Sequence, residues 1–236
     1  MLPRRAATLA IWLASGFVLV LVALHGLEPE FDPSWRWISE YQLGRYGWVM
    51  SVAFCLWGSA AFALLVALWP SLRTGSGRLA RGWLLLMSVA LFGAGAFRTD
   101  PITATDPTVA GSLHGAFGMF TVLTFPAMAT VVTGSLLRDP AWASARRRLL
   151  WSTGVIWLAA TTFWSPIVIF LAVNQPASPF GPQVPAGWPN RAMVASYVLW
   201  LISVAWPLAR AGRVSPAASP VLPASQHRVR DGSPTR

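Results

Sequence analysis

Four ionisable side chains stand near the ends of long apolar runs: His25, Glu40, Asp100 and His114. Two imidazoles and two carboxylates at one depth could bind a divalent metal ion. They could also act as an acid–base pair on a lipid headgroup. Arg45 and Arg191 flank the same runs and could hold a phosphate or another ligand anion. The pattern identifies neither a particular metal nor a cofactor.

The aspartates also have a structural explanation. Each of four Asp-Pro steps predicts a helix N-cap followed by proline at the first helical position: Asp32-Pro33, Asp100-Pro101, Asp106-Pro107 and Asp139-Pro140. We favour this explanation over catalysis for Asp100. The segment from Ser39 to Gln42 fits a capping box, with Ser39 as the cap and Gln42 as its partner. Glu40 would then lie in a first helical turn and interact favourably with the helix dipole.

No cap explains His114. If its helix begins near Asp106, His114 lies about 12 Å inside it at ~1.5 Å per residue. Gly111 and Gly115 form a small-xxx-small step, which predicts close packing against another helix and an imidazole that points into the bundle. An ionisable residue at such a position is a functional candidate. A neutral histidine that only hydrogen-bonds between helices is the equally weighted alternative.

Glu40 is expected to share one face of an early second helix with Gly44, Gly47 and Ser51, and to pair with His114 or an arginine. His25 ends a helix and could instead be solvated. Two histidines could ligate haem, but both lie near one interface, so this option is weak. A P-loop, a Ser-His-Asp arrangement and a dinucleotide motif are all absent from the sequence.

The elements that must position these groups are membrane helices. Apolar residues make up 55% of the 236 residues and charged residues only 11%, which is unlike a soluble domain. Six runs reach the roughly 20 residues that a bilayer crossing needs: Ala6–Leu24, Tyr46–Trp69, Leu79–Phe97, Gly111–Leu137, Leu149–Val173 and Ala192–Ala209. We therefore predict an all-α, six-helix transmembrane bundle over residues 1–210. Residues 211–236 are predicted to be a disordered basic cytoplasmic tail.

Arginine placement predicts the orientation. Fourteen of the eighteen arginines lie in the N-terminus, the second and fourth connections and the tail. The positive-inside rule places these segments in the cytoplasm. We therefore predict a protein of the cytoplasmic (cell) membrane with both termini on the cytoplasmic side and the four candidates at the outer leaflet. The net charge of +10 is divided among the segments between runs, which argues against nucleic-acid binding. The first run could be a secretory signal, but it is long and lacks an A-x-A-like site, so a retained anchor is expected.

Two further features constrain the bundle. Cys55 is the one cysteine, which excludes an intrachain disulfide and a CxxC site. Pro126 and Pro166 lie inside the fourth and fifth runs and free helix carbonyls. Nearby hydroxyl groups, including that of Ser165, are expected to cap the freed carbonyls.

Several sequence blocks occur in a distinctive order: ISEYQLGRYGWVM (Ile38–Met50), TDP followed by LHG (Thr99–Pro101, Leu113–Gly115), and a last helix entered by Arg191 with WL at Trp200–Leu201. This combination resembles the bacterial and archaeal multi-pass membrane family of the domain of unknown function numbered 998. The resemblance covers roughly residues 8 to 210. It implies six helices in a membrane, and it supplies no activity, substrate or catalytic residue.

Two hypotheses of function follow. In the first, a small polar site at the outer leaflet binds a lipid or small amphiphile. In the alternative, the protein is a membrane-embedded lipid hydrolase or transferase that uses the four ionisable candidates with metal or acid–base assistance. A transporter is less favoured because the predicted helices carry no charge near the bilayer midplane and show no paired breaks. Membrane lipids are the expected partners, and the sequence does not indicate the oligomeric state.

Overall fold

The computed structural model describes residues 1–73, 75–174 and 178–210. Within these residues the chain is all-helical, and six long helices are each apolar enough to cross a membrane: α1 (Leu2–Leu27), α2 (Gly47–Leu68), α3 (Ser76–Ala96), α4 (Val109–Leu136), α5 (Arg146–Val173) and α6 (Gly187–Arg210). Two short 3₁₀ helices, η1 (Ile38–Leu43) and η2 (Pro140–Ala145), lie in the connections. The predicted fold class is confirmed. The predicted tail, residues 211–236, lies outside the described residues.

The sixth helix begins earlier than the predicted Ala192. Pro189 falls in its first turn, where a backbone N–H is not needed for the helix. The backbone N–H of Gly187 donates to the carbonyl of Ser34 over 3.0 Å. A side chain on Gly187 would collide with the backbone of Pro33 and Trp35, so a glycine is required at this close approach. Because α6 starts here, Arg191 lies inside the helix.

The helices form a ring in chain order. Helix α1 packs on α2 and α6, α2 on α3, α3 on α4, and α5 on α6, with α2 also touching α6 across the ring. The α4–α5 interface is much smaller than the others between sequential helices. The ring is therefore tight on one side and looser along the seam between α4 and α5.

The two ends of the bundle differ in chemistry. We call one the η1 end, since it carries η1 and the α1–α2, α3–α4 and α5–α6 connections, and the other the terminal end. At the terminal end, the guanidinium of Arg81 lies 4.3 Å from the ring centroid of Trp69, and that of Arg210 lies 4.1 Å from Trp206. Such pairs suit a membrane interface, where the charge stays hydrated over an amphipathic ring.

Pro126 in α4 and Pro166 in α5 each leave one helix carbonyl without its backbone donor. In both cases a side-chain hydroxyl donates a hydrogen bond to that carbonyl. Ser165 donates its hydroxyl to the carbonyl of Thr162 over 3.2 Å, four residues before Pro166, and this confirms the predicted cap. The carbonyl freed by Pro126 belongs to Val122, and it accepts a 2.9 Å hydrogen bond from the Tyr197 hydroxyl of α6. Pro126 therefore creates a polar link between α4 and α6.

Candidate functional site

Glu40 is fully buried and organises η1. Its Oε2 accepts from the backbone N–H of Trp37 over 3.2 Å, and its Oε1 accepts from Arg36 over 2.9 Å and from the backbone of Ile102 over 3.1 Å. An arginine partner was among the predicted ones. Burial raises the pKa of Glu40, and the hydrogen bonds from Ile102, Arg36 and Trp37 oppose that rise. The carboxylate thus joins η1 to the α3–α4 connection.

Two predictions about this segment are wrong. The N-cap of η1 is Trp37 and not Ser39, because Glu40 takes the third position and accepts from the cap backbone. Glu40 lies in η1, whereas α2 begins only at Gly47, so Glu40 does not share a face of α2. The chain turns between η1 and α2. The helical spacing that was expected to align Glu40 with residues of α2 therefore does not apply.

Sequence reasoning missed the role of Gln42. Its buried amide donates to the hydroxyl of Ser51 and to the carbonyl of Ala94, both over 3.0 Å, and it accepts from the backbone N–H of Thr99 over 3.0 Å. These bonds connect η1 to α2, to the end of α3 and to the connection after it. A glutamine between buried apolar neighbours was the available signal, but the capping motif explained it differently.

Asp100 supports the start of α4 from a distance. Its carboxylate accepts from the backbone N–H of Thr108 over 2.6 Å and from the Thr108 hydroxyl over 3.0 Å. Thr108 is the N-cap of α4, and its hydroxyl accepts from Gly111 over 2.9 Å. A side chain on Gly111 would collide with the Asp100 carboxylate. Gly111 is therefore required by Asp100 and not, as predicted, by a neighbouring helix.

The Asp-Pro rule holds at one of its four sites. Asp139 accepts from the backbone of Ala141 over 2.9 Å and caps η2, with Pro140 at the first position. Pro101 and Pro107 begin no helix, since α4 starts at Val109. Asp32 accepts from the backbone of Ser34 over 2.9 Å in a turn, and this bond lowers its pKa. The dipeptide therefore begins a helix at one site and lies in non-helical segments at the other three.

His114, a residue of α4, hydrogen-bonds to the C-terminal end of α3. The imidazole is 4% exposed, and its Nδ1 lies 2.9 Å from the carbonyl oxygen of Ala94 and 3.0 Å from that of Phe97. Both carbonyls lie at the C-terminal end of α3, where helix carbonyls lack intrahelical partners. Since carbonyls only accept, Nδ1 carries the proton and Nε2 is an acceptor. The predicted inward direction of His114 is confirmed.

A cavity of about 250 Å³ lies beside His114 at the η1 end, between η1, α2, α3, α4 and α6. Most of its wall is apolar, with aromatic rings from Trp37, Phe54, Trp57 and Phe180. The α4 wall is only half-buried, at Gly115, Gly118, Met119 and Val122. This stretch lies about 10 to 20 Å into α4 at ~1.5 Å per residue. This part of the cavity wall therefore lies at a depth where a membrane helix is surrounded by hydrocarbon.

Gly115 faces this cavity. A side-chain carbon added at Gly115 would meet nothing within 4 Å, so the predicted close helix packing at this residue is wrong. The small residue leaves open space where packing was expected. Gly115 thereby widens the route from the α4 surface to His114.

Two further candidates, His25 and Arg191, form a separate polar cluster. The Nε of Arg191 donates to Nε2 of His25 over 2.8 Å, and Nδ1 of His25 donates to the carbonyl of Leu21 over 2.8 Å. Arg191 also donates to the carbonyls of Arg36 and Gly187 and to the hydroxyl of Tyr41, over 2.6, 3.1 and 3.1 Å. These acceptors occupy nearly all of its N–H groups.

Arg45 lies apart from both groups. Its side chain is exposed, and its guanidinium lies 5.5 Å from the ring centroid of Tyr46. Neither Arg45 nor Arg191 lines the cavity. A phosphate role for either arginine stays a prediction.

Glu28 is a buried carboxylate that sequence reasoning did not single out. Its Oε1 accepts from the backbone N–H of Tyr46, and its Oε2 has no partner in the described part of the chain. A side chain on Gly44 would collide with this carboxylate. The glycine therefore makes room for a buried acid beneath the α1–α2 connection.

The four ionisable candidates share an end of the bundle without contacting one another. Asp100 and His114 line one cavity, Glu40 bonds the backbone of a residue in that wall, and His25 belongs to the arginine cluster. Across the described ranges, no three His, Cys, Asp or Glu side chains lie close enough to hold a metal ion. The common site expected for all four does not form.

Comparison with known proteins agrees with this architecture. The family described as "Protein of unknown function (DUF998)" matches residues 12–207. No curated protein and no solved structure matches the chain. The family match spans most of the sequence and includes residues of all six apolar helices. The chain is a multi-pass membrane protein, and it belongs to this DUF998 family of unknown function.

Proposed function

We propose that the protein binds a lipid or small amphiphile in the cavity beside His114. The observation that carries this proposal is an apolar cavity whose α4 wall is half-buried at hydrocarbon depth. Ligand sites are typically apolar hollows with a few convergent polar groups. Here the polar groups, including Asp100, Thr99 and His114, lie toward the η1 end, so a tail would lie deeper and a headgroup nearer that end.

We also infer that the η1 end faces the outer leaflet of a cytoplasmic membrane. Fourteen of the eighteen arginines belong to the terminal-end segments or the tail. Because basic loops are retained in the cytoplasm, this distribution supports an orientation with both termini inside. The ligand would then come from the outer leaflet.

Binding is favoured over the alternative of a lipid hydrolase or transferase. Glu40, Asp100 and His25 are each held by structural partners, and none of the cavity-lining hydroxyls of Ser39, Thr99 and Thr121 is hydrogen-bonded to His114. One basic nitrogen, Nε2 of His114, is a poor basis for a hydrolytic mechanism without a second group. A hydrophobic cavity with one acceptor is sufficient for binding.

A pair of leucine substitutions on α4 tests the proposal. Gly115→Leu fills the cavity, whereas Gly134→Leu adds the same side chain at an exposed position with open space around it. Native mass spectrometry of detergent-purified protein measures the retained lipid. We expect Gly115→Leu to lose at least about 90% of the occupancy, since the tail has no space, and Gly134→Leu to match wild type. Equal occupancy in the two variants, or no retained lipid in wild type, would overturn the proposal.

A further inference from the structure

Three residues that line the cavity carry polar atoms without a hydrogen-bond partner among the described residues. Trp57 is 2% exposed, and its Nε1–H is buried with no acceptor among the described residues. Asn190 is 3% exposed; its Oδ1 accepts from the backbone of Ile38 over 3.1 Å, while its Nδ2 has no partner within the same ranges. Nε2 of His114 is likewise unpaired there. Of these atoms, the Trp57 nitrogen is the one that is fully buried. Since buried donors normally have acceptors, we take these unpaired atoms as the groups that a ligand would bond.

The charges around the cavity limit the headgroup. Asp100 is the one charged side chain among its described lining residues, and no arginine lines it. Arg36 binds Glu40, and Arg98 donates to the carbonyl of Leu43 over 3.1 Å. A phosphate or carboxylate would be desolvated beside a carboxylate with no cation to pair with. An ammonium group only donates hydrogen bonds, so it would leave the N–H groups of Trp57 and Asn190 without an acceptor.

We propose that the ligand is an uncharged lipid alcohol, recognised through its hydroxyl group. The hydroxyl donates to Nε2 of His114 and accepts from an N–H of Trp57 or Asn190. A hydroxyl is the smallest uncharged group that both donates and accepts. The apolar walls surround the hydrocarbon chain, and the half-buried α4 wall admits it. This inference rests on the proposed lipid-binding function and specifies its ligand class.

A set of probes with one tail and different headgroups tests the inference. Radiolabelled 1-dodecanol is bound to wild-type protein in nanodiscs, with empty nanodiscs as the blank for partitioning. Unlabelled 1-dodecanol, methyl dodecyl ether, dodecyl phosphate and dodecylamine then compete. We expect dodecanol to compete at least about tenfold better than the ether, because a site with an unpaired acceptor rejects an analogue that cannot donate. The charged probes should be weaker than dodecanol.

His114→Asn separates recognition from structural support. The asparagine amide can reproduce the Nδ1–H donation to Ala94 and Phe97, but it has no atom in place of Nε2. We expect the variant to keep its melting temperature and to lose at least about tenfold in dodecanol affinity, while its weak ether affinity stays unchanged. Unchanged dodecanol affinity would overturn the role of His114. If the variant unfolds, the wild-type ranking still decides the headgroup.

The outcomes distinguish this inference from the proposed function. If dodecyl phosphate or dodecylamine binds best and Gly115→Leu abolishes that binding, lipid binding stands and the uncharged headgroup is wrong. Equal binding of alcohol and ether, again sensitive to Gly115→Leu, also overturns the hydroxyl assignment alone. If Gly115→Leu changes neither probe binding nor native lipid occupancy, both proposals fall.

Discussion

The guanidinium of Arg191 is a buried cation with no carboxylate within ion-pair distance in the described residues. Burying a charge is costly unless its hydrogen bonds are satisfied. Four neutral acceptors provide those bonds, and the rings of Tyr41 and Trp188 add their faces at 5.5 and 5.8 Å. Arg191 therefore fastens α6 to α1 and to the connection between α1 and α2.

Arg191→Lys should destabilise the protein by on the order of 3 kcal/mol, because a lysine cannot reproduce the planar fork and leaves several buried acceptors unpaired. Thermal unfolding in detergent, followed by circular dichroism, measures the loss. Arg45→Lys is the matched control: its side chain is exposed, so we expect no change. A melting temperature for Arg191→Lys equal to that of the control would contradict the assigned role.

Sequence reasoning found several polar residues of the η1 end but not the partners of His25 and Asp100. Hydropathy places His25 and Arg191 near helix ends, yet 166 positions separate them and no local pattern links them. Asp100 was assigned to the adjacent proline because capping rules consider only the next few residues. Its actual partner, Thr108, is eight residues away across a loop. Long-range pairing depends on packing, which hydropathy does not specify.

Helix α4 receives a hydrogen bond from α6 at the position where Pro126 removes one of its own backbone hydrogen bonds. The rings of Phe125 and Tyr197 stack at 4.1 Å, and the Tyr197 hydroxyl occupies the carbonyl of Val122. Below this point α4 and α6 are joined. Val122 is the last α4 residue, in chain order, that lines the cavity. The proline-linked contact thus sets the floor of the site.

Tyr197→Phe should cost about 1 kcal/mol, because it leaves the carbonyl of Val122 without a donor in an apolar setting. In a Pro126→Ala background the cost should largely vanish, since an alanine at this position restores a backbone N–H for that carbonyl. Unfolding of the four proteins in detergent completes the double-mutant cycle. Equal losses in both backgrounds would show that the hydroxyl does not compensate for the proline.

Helix existence was predictable, and helix detail was not. Six apolar runs of sufficient length gave the six helices within a few residues at most ends. The start of α6 was placed too late because a proline and an arginine, here Pro189 and Arg191, are residue types common in loops. The Gly111–Gly115 step was interpreted as helix packing, although one glycine accommodates Asp100 and the other faces a cavity. A small residue looks the same in a sequence whether it meets a helix, a side chain or empty space.

At the scale of the whole molecule, the ring of helices has one loose seam and two chemically different ends. Short connections explain why helices that follow one another in the chain pack together. They do not explain why α1 also packs on α6, which closes the ring. The cavity also escaped prediction, since its lining residues come from η1, α2, α3, α4 and α6, which no local sequence pattern brings together. The orientation, in contrast, is a prediction from arginine placement alone.

Reporter fusions test that orientation. We expect cytoplasmic reporters to be active after Gly75, Ala143 and Ser219, and periplasmic reporters to be active after Pro33, Thr105 and Gly181. The reason is the excess of arginine in the first set of segments. A clear reversal at Gly75 or Thr105 would overturn the orientation and place the cavity in the opposite leaflet.

The dependence on α6 has a consequence for biosynthesis. The ribosome makes α6 last of the six helices, so five helices can enter the membrane while the carbonyl of Val122, the carbonyl of Arg36 and Nε2 of His25 still lack their donors. Each donor, from Tyr197 or Arg191, arrives only with α6. A nascent chain that stops before Gly187 therefore leaves the Val122 carbonyl unpaired inside the bilayer and two further acceptors unpaired at the η1 end.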